Sequence, residues 1–107
     1  MARLDRRLEL DARLRRILGS NNLYFEPPAS ITMHYPCVRY TRERINTNFA
    51  NNNVYLAKQR YDLTLIYYDV DSDLVDKFLF NSEGLTFSHE RHYVADGLHH
   101  DILTTTF

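Results

Sequence analysis

Two long runs of alternating residues, joined by an asparagine-rich segment, constrain the fold of this chain more than any other feature. The first run covers residues 37–45 and the second covers residues 54–68, and both place apolar and polar side chains on alternate sides, as strands do. The second run would be about 50 Å long if fully extended. Two such runs predict a long β-hairpin that projects beyond the body of a 107-residue chain.

The segment between the runs contains five asparagines within the eight residues 46–53. Asparagine favours turns and irregular backbone, so the sequence predicts a mobile connection here rather than a continuation of the strands. A tip of this composition offers hydrogen bonds but almost no core. We expect it to be a partner-contact loop, formed by Asn46, Asn48, Phe49, Asn51, Asn52 and Asn53.

A helix is predicted before the hairpin and a shorter one after it. In the first, apolar residues recur at near-helical spacing and Gly19 is placed to end the helix. The second, Leu74–Phe80, follows a run of acids and carries Lys77, an order that suits the helix dipole. Between the first helix and the hairpin, Leu23–Glu26 is a short extended segment that ends at two prolines.

The last 23 residues consist of two β-prone runs about Asp96-Gly97, a strong hairpin signal. A two-residue loop sets His92 opposite Asp101, whereas a three-residue loop sets Arg91 there, and the sequence leaves both registers open. Together the elements predict one α+β domain, residues 1–107. It would have a small mixed or antiparallel sheet of two hairpins, one of them long, packed against an N-terminal helix and a short second helix.

Charge is divided unevenly along the chain. Residues 1–61 contain 11 Lys and Arg against 5 Asp and Glu, whereas residues 62–107 contain 2 against 9. Regions of opposite charge on one small subunit favour contacts between copies. We therefore expect a subunit interface in which a basic surface meets an acidic one on the next copy. Its expected residues are Arg39, Arg42, Arg44, Arg60, Asp69, Asp71 and Asp73.

Two segments of the chain contain residue types that bind metals, but neither has the spacing that a metal site requires. Residues 69–73 imitate the opening of a calcium loop, but Leu74 stands where that loop needs Gly and Phe80 where it needs Glu. The last hairpin is rich in histidine, but the neighbours His99 and His100 should point to opposite faces of a strand. The sequence therefore predicts no enzyme, no catalytic residue, no metal and no cofactor.

The sequence also bears on membrane contact and on nucleic-acid binding. No stretch approaches the ~20 apolar residues of a membrane span, and the amino terminus has no uninterrupted apolar run, so we expect no membrane contact. Arginines interleave with tyrosines along the predicted strands, which is typical of nucleic-acid binding. The acidic second half and the formal net charge of −1 weigh against it. A small nucleic-acid-binding domain remains the alternative from another class.

The order of these elements, together with several segments, resembles the tail terminator (tail completion) proteins of long-tailed bacteriophages. The resembling segments span nearly the whole chain. They are the amino-terminal helix, YPCVRY at residues 35–40, RYDLTLI at 60–66, DSDL at 71–74 and RHYVADGLHHD at 91–101. These segments are packing and turn signals, so the resemblance lies in their order and spacing.

The resemblance implies a structural virion protein that forms a ring, usually a homohexamer, at the head-proximal end of the tail tube. Such a ring stops tube growth and takes part in head-tail joining. Implied partners are further copies of the chain, the tail tube protein and the head-proximal neck or connector protein, with DNA only as cargo in the lumen. The implied location is the virion tail and neck, after assembly in the host cytoplasm. A head completion, stopper or adaptor ring of the same neck is the alternative within this class.

Overall fold

The computed structural model describes residues 3–50 and 53–107, and it folds them into one mixed sheet with two helices. The elements are α1 (Arg3–Leu18), β1 (Leu23–Phe25), β2 (Cys37–Ala50), β3 (Asn53–Tyr67), α2 (Leu74–Phe80), β4 (Ser88–Ala95) and β5 (Leu98–Thr106). The strand order is β1-β2-β3-β5-β4, with β1 parallel to β2 and the other pairs antiparallel. The predicted α+β fold is therefore confirmed.

The long hairpin of β2 and β3 is more regular than the sequence indicates. The two strands pair from Cys37 opposite Ile66 to Ala50 opposite Asn53. The predicted irregular connection is therefore wrong for residues 46–50 and 53, which belong to the strands, while Asn51 and Asn52 lie outside the described residues. Pairing across the hairpin satisfies backbone N–H and C=O groups, and this outweighs the weak preference of asparagine for turns.

Both helices pack on one face of the sheet, which we call the helix face. Leu10 and Leu14 of α1 and Phe78 of α2 are fully buried there. Alternate residues of the strands supply the other side of this core, and the main ones are Val38, Tyr40, Tyr61, Leu63, Leu65 and Leu103. The helix α1 ends as predicted at Gly19, which has a φ of 77° and donates its N–H to the Arg15 carbonyl at 2.8 Å.

The other face, which we call the open face, has no helix packed on it within residues 3–50 and 53–107. The strand register assigns it mostly polar side chains, together with the apolar residues Cys37, Ile66 and Ile102, of which Cys37 and Ile66 are buried. The polar ones are Arg39, Thr41, Asp62, Thr64, Arg91, Tyr93, His100 and Thr104. Along its longest axis the molecule measures 51 Å, against 26 and 24 Å in the other directions. Neither of the helices in the described ranges has the length and apolarity to cross a bilayer.

A pair of leucine substitutions in α1 tests which side of this helix supports the core. Leu14 is fully buried, whereas Leu8 is 51% exposed. We expect Leu14→Ala to lower the free energy of unfolding by about 2–5 kcal/mol, because it leaves a cavity that the core fills poorly. The same change at Leu8 should alter it by about 0.5 kcal/mol or less. Chemical denaturation of the two variants measures the difference, and equal losses would contradict the assigned helix orientation.

Candidate functional site

The turn of the β4–β5 hairpin decides the register that the sequence left open. Ala95 pairs with Leu98, so Asp96 and Gly97 form a two-residue loop. Their φ angles of 53° and 74° match the left-handed backbone that such tight hairpin turns require. As a consequence His92 lies opposite Asp101, and the three-residue alternative is wrong.

A β-bulge in β4 brings a second histidine to the same face as His92. The register shifts by one residue between His89 and Arg91, which leaves Glu90 as the extra residue of this strand. In an uninterrupted strand His89 and His92 would point to opposite faces, because their separation is odd. With the bulge, His89 pairs with Leu103 and His92 with Asp101, so both histidines lie on the helix face.

Asp101 is the centre of this histidine cluster. Its side chain is only 6% exposed, and its Oδ1 atom lies 2.8 Å from His89 Nε2 and 3.0 Å from His92 Nδ1. Its Oδ2 atom accepts a hydrogen bond from the Tyr67 hydroxyl at 2.5 Å. Because a carboxylate can only accept, both imidazoles donate to it. His99 stacks on the rings of Tyr67 and His92 at centroid distances of 5.3 and 5.5 Å.

The electrostatics of the cluster favour a charged carboxylate. Burial by itself would raise the pKa of Asp101, but hydrogen bonds from His89, Tyr67 and His92 outweigh it, and the pKa lies below its usual value. Burial, followed by the hydrogen bond to this carboxylate, raises the pKa of Tyr67 to about 12. The phenol therefore stays protonated and keeps donating to Asp101. The cluster joins the edge strand β4 to β5 and β3.

The side chains of this cluster are directed at one another. The imidazoles of His89 and His92 are directed at a carboxylate, and within the described ranges no group of three or more His, Cys, Asp or Glu side chains is arranged to hold a metal. His99 and His100 point to opposite faces as predicted, since His100 stacks on Tyr93 at 4.6 Å on the open face. Cys37 is buried, and burial raises its pKa to about 11, so its thiol is a poor nucleophile.

The structure divides the four arginines that were predicted to form one basic surface. Arg39 pairs with Thr64 and belongs to the open face. Arg42 belongs to the helix face, where its guanidinium carbon lies 5.6 Å from the centroid of the Phe25 ring. Arg44 and Arg60 lie farther along the hairpin, at a bulge in β2. Asp62 forms an ion pair with Arg60 there, so the four arginines do not make one basic surface.

The bulge in β2 is a crowded polar site. Between Arg42 and Ile45 the register shifts by one, so Glu43 and Arg44 together face Arg60. Arg60 Nε lies 3.5 Å from Asp62 Oδ1, an ion pair rather than a hydrogen bond, since neither atom has a hydrogen-bond partner. A hydrogen bond with Asp62, and the charge of that carboxyl, raise the pKa of Glu43. Two carboxyl groups therefore compete for the cations of this site.

The three predicted interface acids occupy the turn between β3 and α2, which we call the acidic turn (residues 69–73). The Asp69 side chain accepts a hydrogen bond from the Asp71 N–H at 2.9 Å. Asp73 precedes α2, and its carboxylate lies 3.9 Å from the Lys77 ammonium. Exposed apolar residues adjoin the acids, since Tyr68 is 64% exposed and Val70 71% exposed. The acidic turn thus combines negative charge with uncovered apolar surface.

Several arginines of α1 have partners that the sequence did not indicate. Arg6 and Arg13 lie over the ring of Phe107, at 4.1 and 5.0 Å from its centroid. Arg16 forms an ion pair with Glu83 at 3.3 Å, which joins the basic half of the chain to the acidic half. Part of the charge division along the sequence is therefore neutralised within one subunit. A terminal phenylalanine gives no local signal of such a role.

Comparison with known proteins adds no relative to this picture. Family models, curated proteins and solved structures were each searched, and none matches the chain.

Replacing Asp101 tests the histidine cluster and its pH dependence. Asp101→Asn should lower the free energy of unfolding by about 1–3 kcal/mol at pH 7, because three donors lose a charged acceptor. The folded-state pKa of Asp101 is lowered, so its contribution is present above the unfolded pKa of about 3.9 and is lost as the pH falls through the folded value. The difference between wild type and variant should therefore shrink below about pH 4.

The matched control is Asp96→Asn, the same chemical change at an exposed turn residue with a positive φ that asparagine tolerates. It should leave the unfolding free energy nearly unchanged over the same pH range. Urea denaturation from pH 3 to pH 8 provides the measurement. A gap for Asp101→Asn that stays constant down to pH 3 would contradict the assigned role of the carboxylate.

Proposed function

We propose that this chain is a structural, non-enzymatic virion protein of the bacteriophage neck, a tail terminator. Its copies would form a ring, with six as the expected number, that caps the tail tube and joins the tail to the head. It would work in the virion after assembly in the host cytoplasm. The support comes from the sequence resemblance and from surfaces that a single subunit leaves uncovered.

A sheet that has helices on one face only, and open edges, is the observation that carries this proposal. Within the described residues, α1 and α2 pack on the helix face, no helix packs on the open face, and no strand pairs with the outer edge of β4. A sheet edge presents unpaired N–H and C=O groups, which another chain can pair. A small domain leaves a large fraction of its surface exposed to solvent, and contacts with further subunits can bury part of it.

The distribution of charge along the hairpin also supports contacts between copies. Arg44 and Arg60 lie at the β2 bulge, whereas the acidic turn follows the far end of β3. The nine residue steps from Arg60 to Asp69, seven of them within β3, correspond to at most about 30 Å of extended chain. Head-to-tail contacts in a closed ring need two different and complementary surfaces on each subunit. The mixed-charge bulge of β2 and the acidic turn are two such unlike surfaces.

The outer part of the long hairpin is the proposed contact with the tail tube protein or with the head-proximal neck protein. Its backbone is strand up to Ala50 and again from Asn53, so a partner would meet strand edges along these residues. DNA would pass through the ring only as cargo.

The solution mass and the negative-stain image of the purified protein test the proposal. We expect a closed ring with a mass that is a small multiple of 12.7 kDa, six copies being the expected number. A monomer that shifts labelled DNA in a gel would instead support the nucleic-acid-binding alternative. Rings that bind filled heads but leave isolated tail tubes unoccupied would support a stopper or adaptor ring. Either result would overturn the terminator assignment.

Charge reversal in the acidic turn tests its part in assembly. Asp71→Lys combined with Asp73→Lys should lower the fraction of assembled protein and weaken the response of assembly to salt. Each exposed pair is worth only about 0–1 kcal/mol, so the effect depends on several pairs acting together. Asp5→Lys with Glu9→Lys on α1 makes the same change of charge at another site and should assemble normally. Sedimentation at low and high salt measures both variants, and equal behaviour would exclude the acidic turn from the interface.

A further inference from the structure

The two edges of the sheet are unlike each other, and both are open. On one side, β1 pairs only with Val38–Tyr40 of β2, so the outer edge of β2 from Thr41 onward has no paired strand among the described residues. On the other side, β4 is the last strand and pairs only with β5. Within one subunit, β3 and β5 separate these edges by about 14 Å, three times the spacing between neighbouring strands.

The two open edges are complementary in sequence when they are aligned antiparallel. With Glu43 set opposite Arg91, Arg44 falls opposite Glu90, which gives two opposite-charge pairs at adjacent positions. Opposite charges directly across a strand pair stabilise it, and like charges destabilise it. In this register residues 41–46 of β2 lie beside residues 88–93 of β4, and the pairing stops where β1 begins to cover β2.

The same alignment also matches the faces of the sheet. Thr41 and Tyr93 both belong to the open face, and they become partners. Ile45 and His89 both belong to the helix face, and they too become partners. The bulges coincide as well, because the extra residue of β2 lies at Glu43-Arg44 and the extra residue of β4 is Glu90. A bulge in one edge strand usually disrupts its pairing with another strand. When both strands carry an extra residue at matching positions, the register is the same on either side of the bulges.

Strand direction permits this pairing in a ring. The antiparallel steps from β2 to β3, β5 and β4 make β2 and β4 run in opposite directions within one subunit. If the ring axis is parallel to the strands, each strand points the same way along that axis in every copy. The β4 edge of one copy then meets the β2 edge of the next in the antiparallel sense. Contacts between two unlike edges are heterologous, and they close into rings when the rotation allows.

We propose that residues 41–46 of β2 pair with residues 88–93 of β4 in a second copy of this chain, which makes the sheets of neighbouring subunits continuous. The pairing rests on the proposed self-assembly and names the edges that meet. It places the Arg91 guanidinium beside Glu43, a carboxyl that shares its site with Asp62 in the single subunit. Arg91 is exposed in the single subunit and lies 4.9 Å from the Tyr93 ring centroid.

Charge exchange across the pair provides the first test. Glu43→Arg alone and Arg91→Glu alone each set like charges opposite one another. Each should therefore raise the protein concentration needed for half assembly about tenfold or more. The double variant Glu43→Arg/Arg91→Glu restores an opposite-charge pair and should recover assembly. Glu9→Arg on α1 is the control for a reversed acid away from both edges, and thermal melting of each variant checks that the subunit stays folded.

Disulfide trapping provides a second test that reads the register directly. Glu43→Cys/Arg91→Cys should give a ladder of linked copies after oxidation, because a disulfide needs Cα atoms about 4.4–6.8 Å apart. The control Ile45→Cys/Arg91→Cys shifts one partner by two residues and should give almost no ladder. The native Cys37 is buried and adds little background.

The outcomes separate this inference from the proposed function. A wild-type chain that stays monomeric at all concentrations overturns the ring and the edge pairing together. A wild-type ring whose assembly is unchanged by the single reversals, or which fails to give the matched disulfide ladder, overturns the edge pairing alone. Recovery in the double variant together with a register-specific ladder supports it.

Discussion

The antiparallel ladder between β2 and β3 is the interaction on which the rest of the structure depends. Its register sets Val38 beside Leu65 and Tyr40 beside Leu63, and so directs all four side chains to the helix face. The helices then bury their leucines against one continuous apolar surface. A slip of one residue would turn this set of side chains to the opposite face. The ladder therefore decides which face the helices cover and which face stays open.

Two of the three register shifts in this sheet adapt its edges. The β4 bulge turns His89 toward the buried Asp101, so the last strand is held by side chains as well as by its ladder. At the opposite edge of the sheet, the β2 bulge places Glu43 and Arg44 beside Arg60 of β3. Bulges re-aim side chains and increase local twist. Here they give each edge its own charged pattern, and the proposed assembly depends on the difference between the two.

Local signals predicted much of the fold. The end of α1 at Gly19 and the Asp96-Gly97 turn follow from cap and turn chemistry that involves only near neighbours in sequence. The bounds of α2 match the pattern of acids before the helix and Lys77 within it, although Asp73 makes no side-chain capping hydrogen bond. The continuation of strand through Asn46 could not be predicted in this way, because it depends on pairing with Lys58 across the hairpin. The same limit applies to the candidate site. His92 opposite Asp101 was one of two predicted registers, but the bulge that adds His89 has no local signature.

The proposed function depends on whether the uncovered edges of one subunit meet those of another. An electron cryomicroscopy reconstruction of the assembled protein tests this most directly. The account predicts a closed ring in which β4 of each copy lies antiparallel to residues 41–46 of β2 in the next, with Arg91 facing Glu43 of its neighbour. A closed ring in which both edges face solvent, or a particle built on a two-fold contact between identical surfaces, would contradict it.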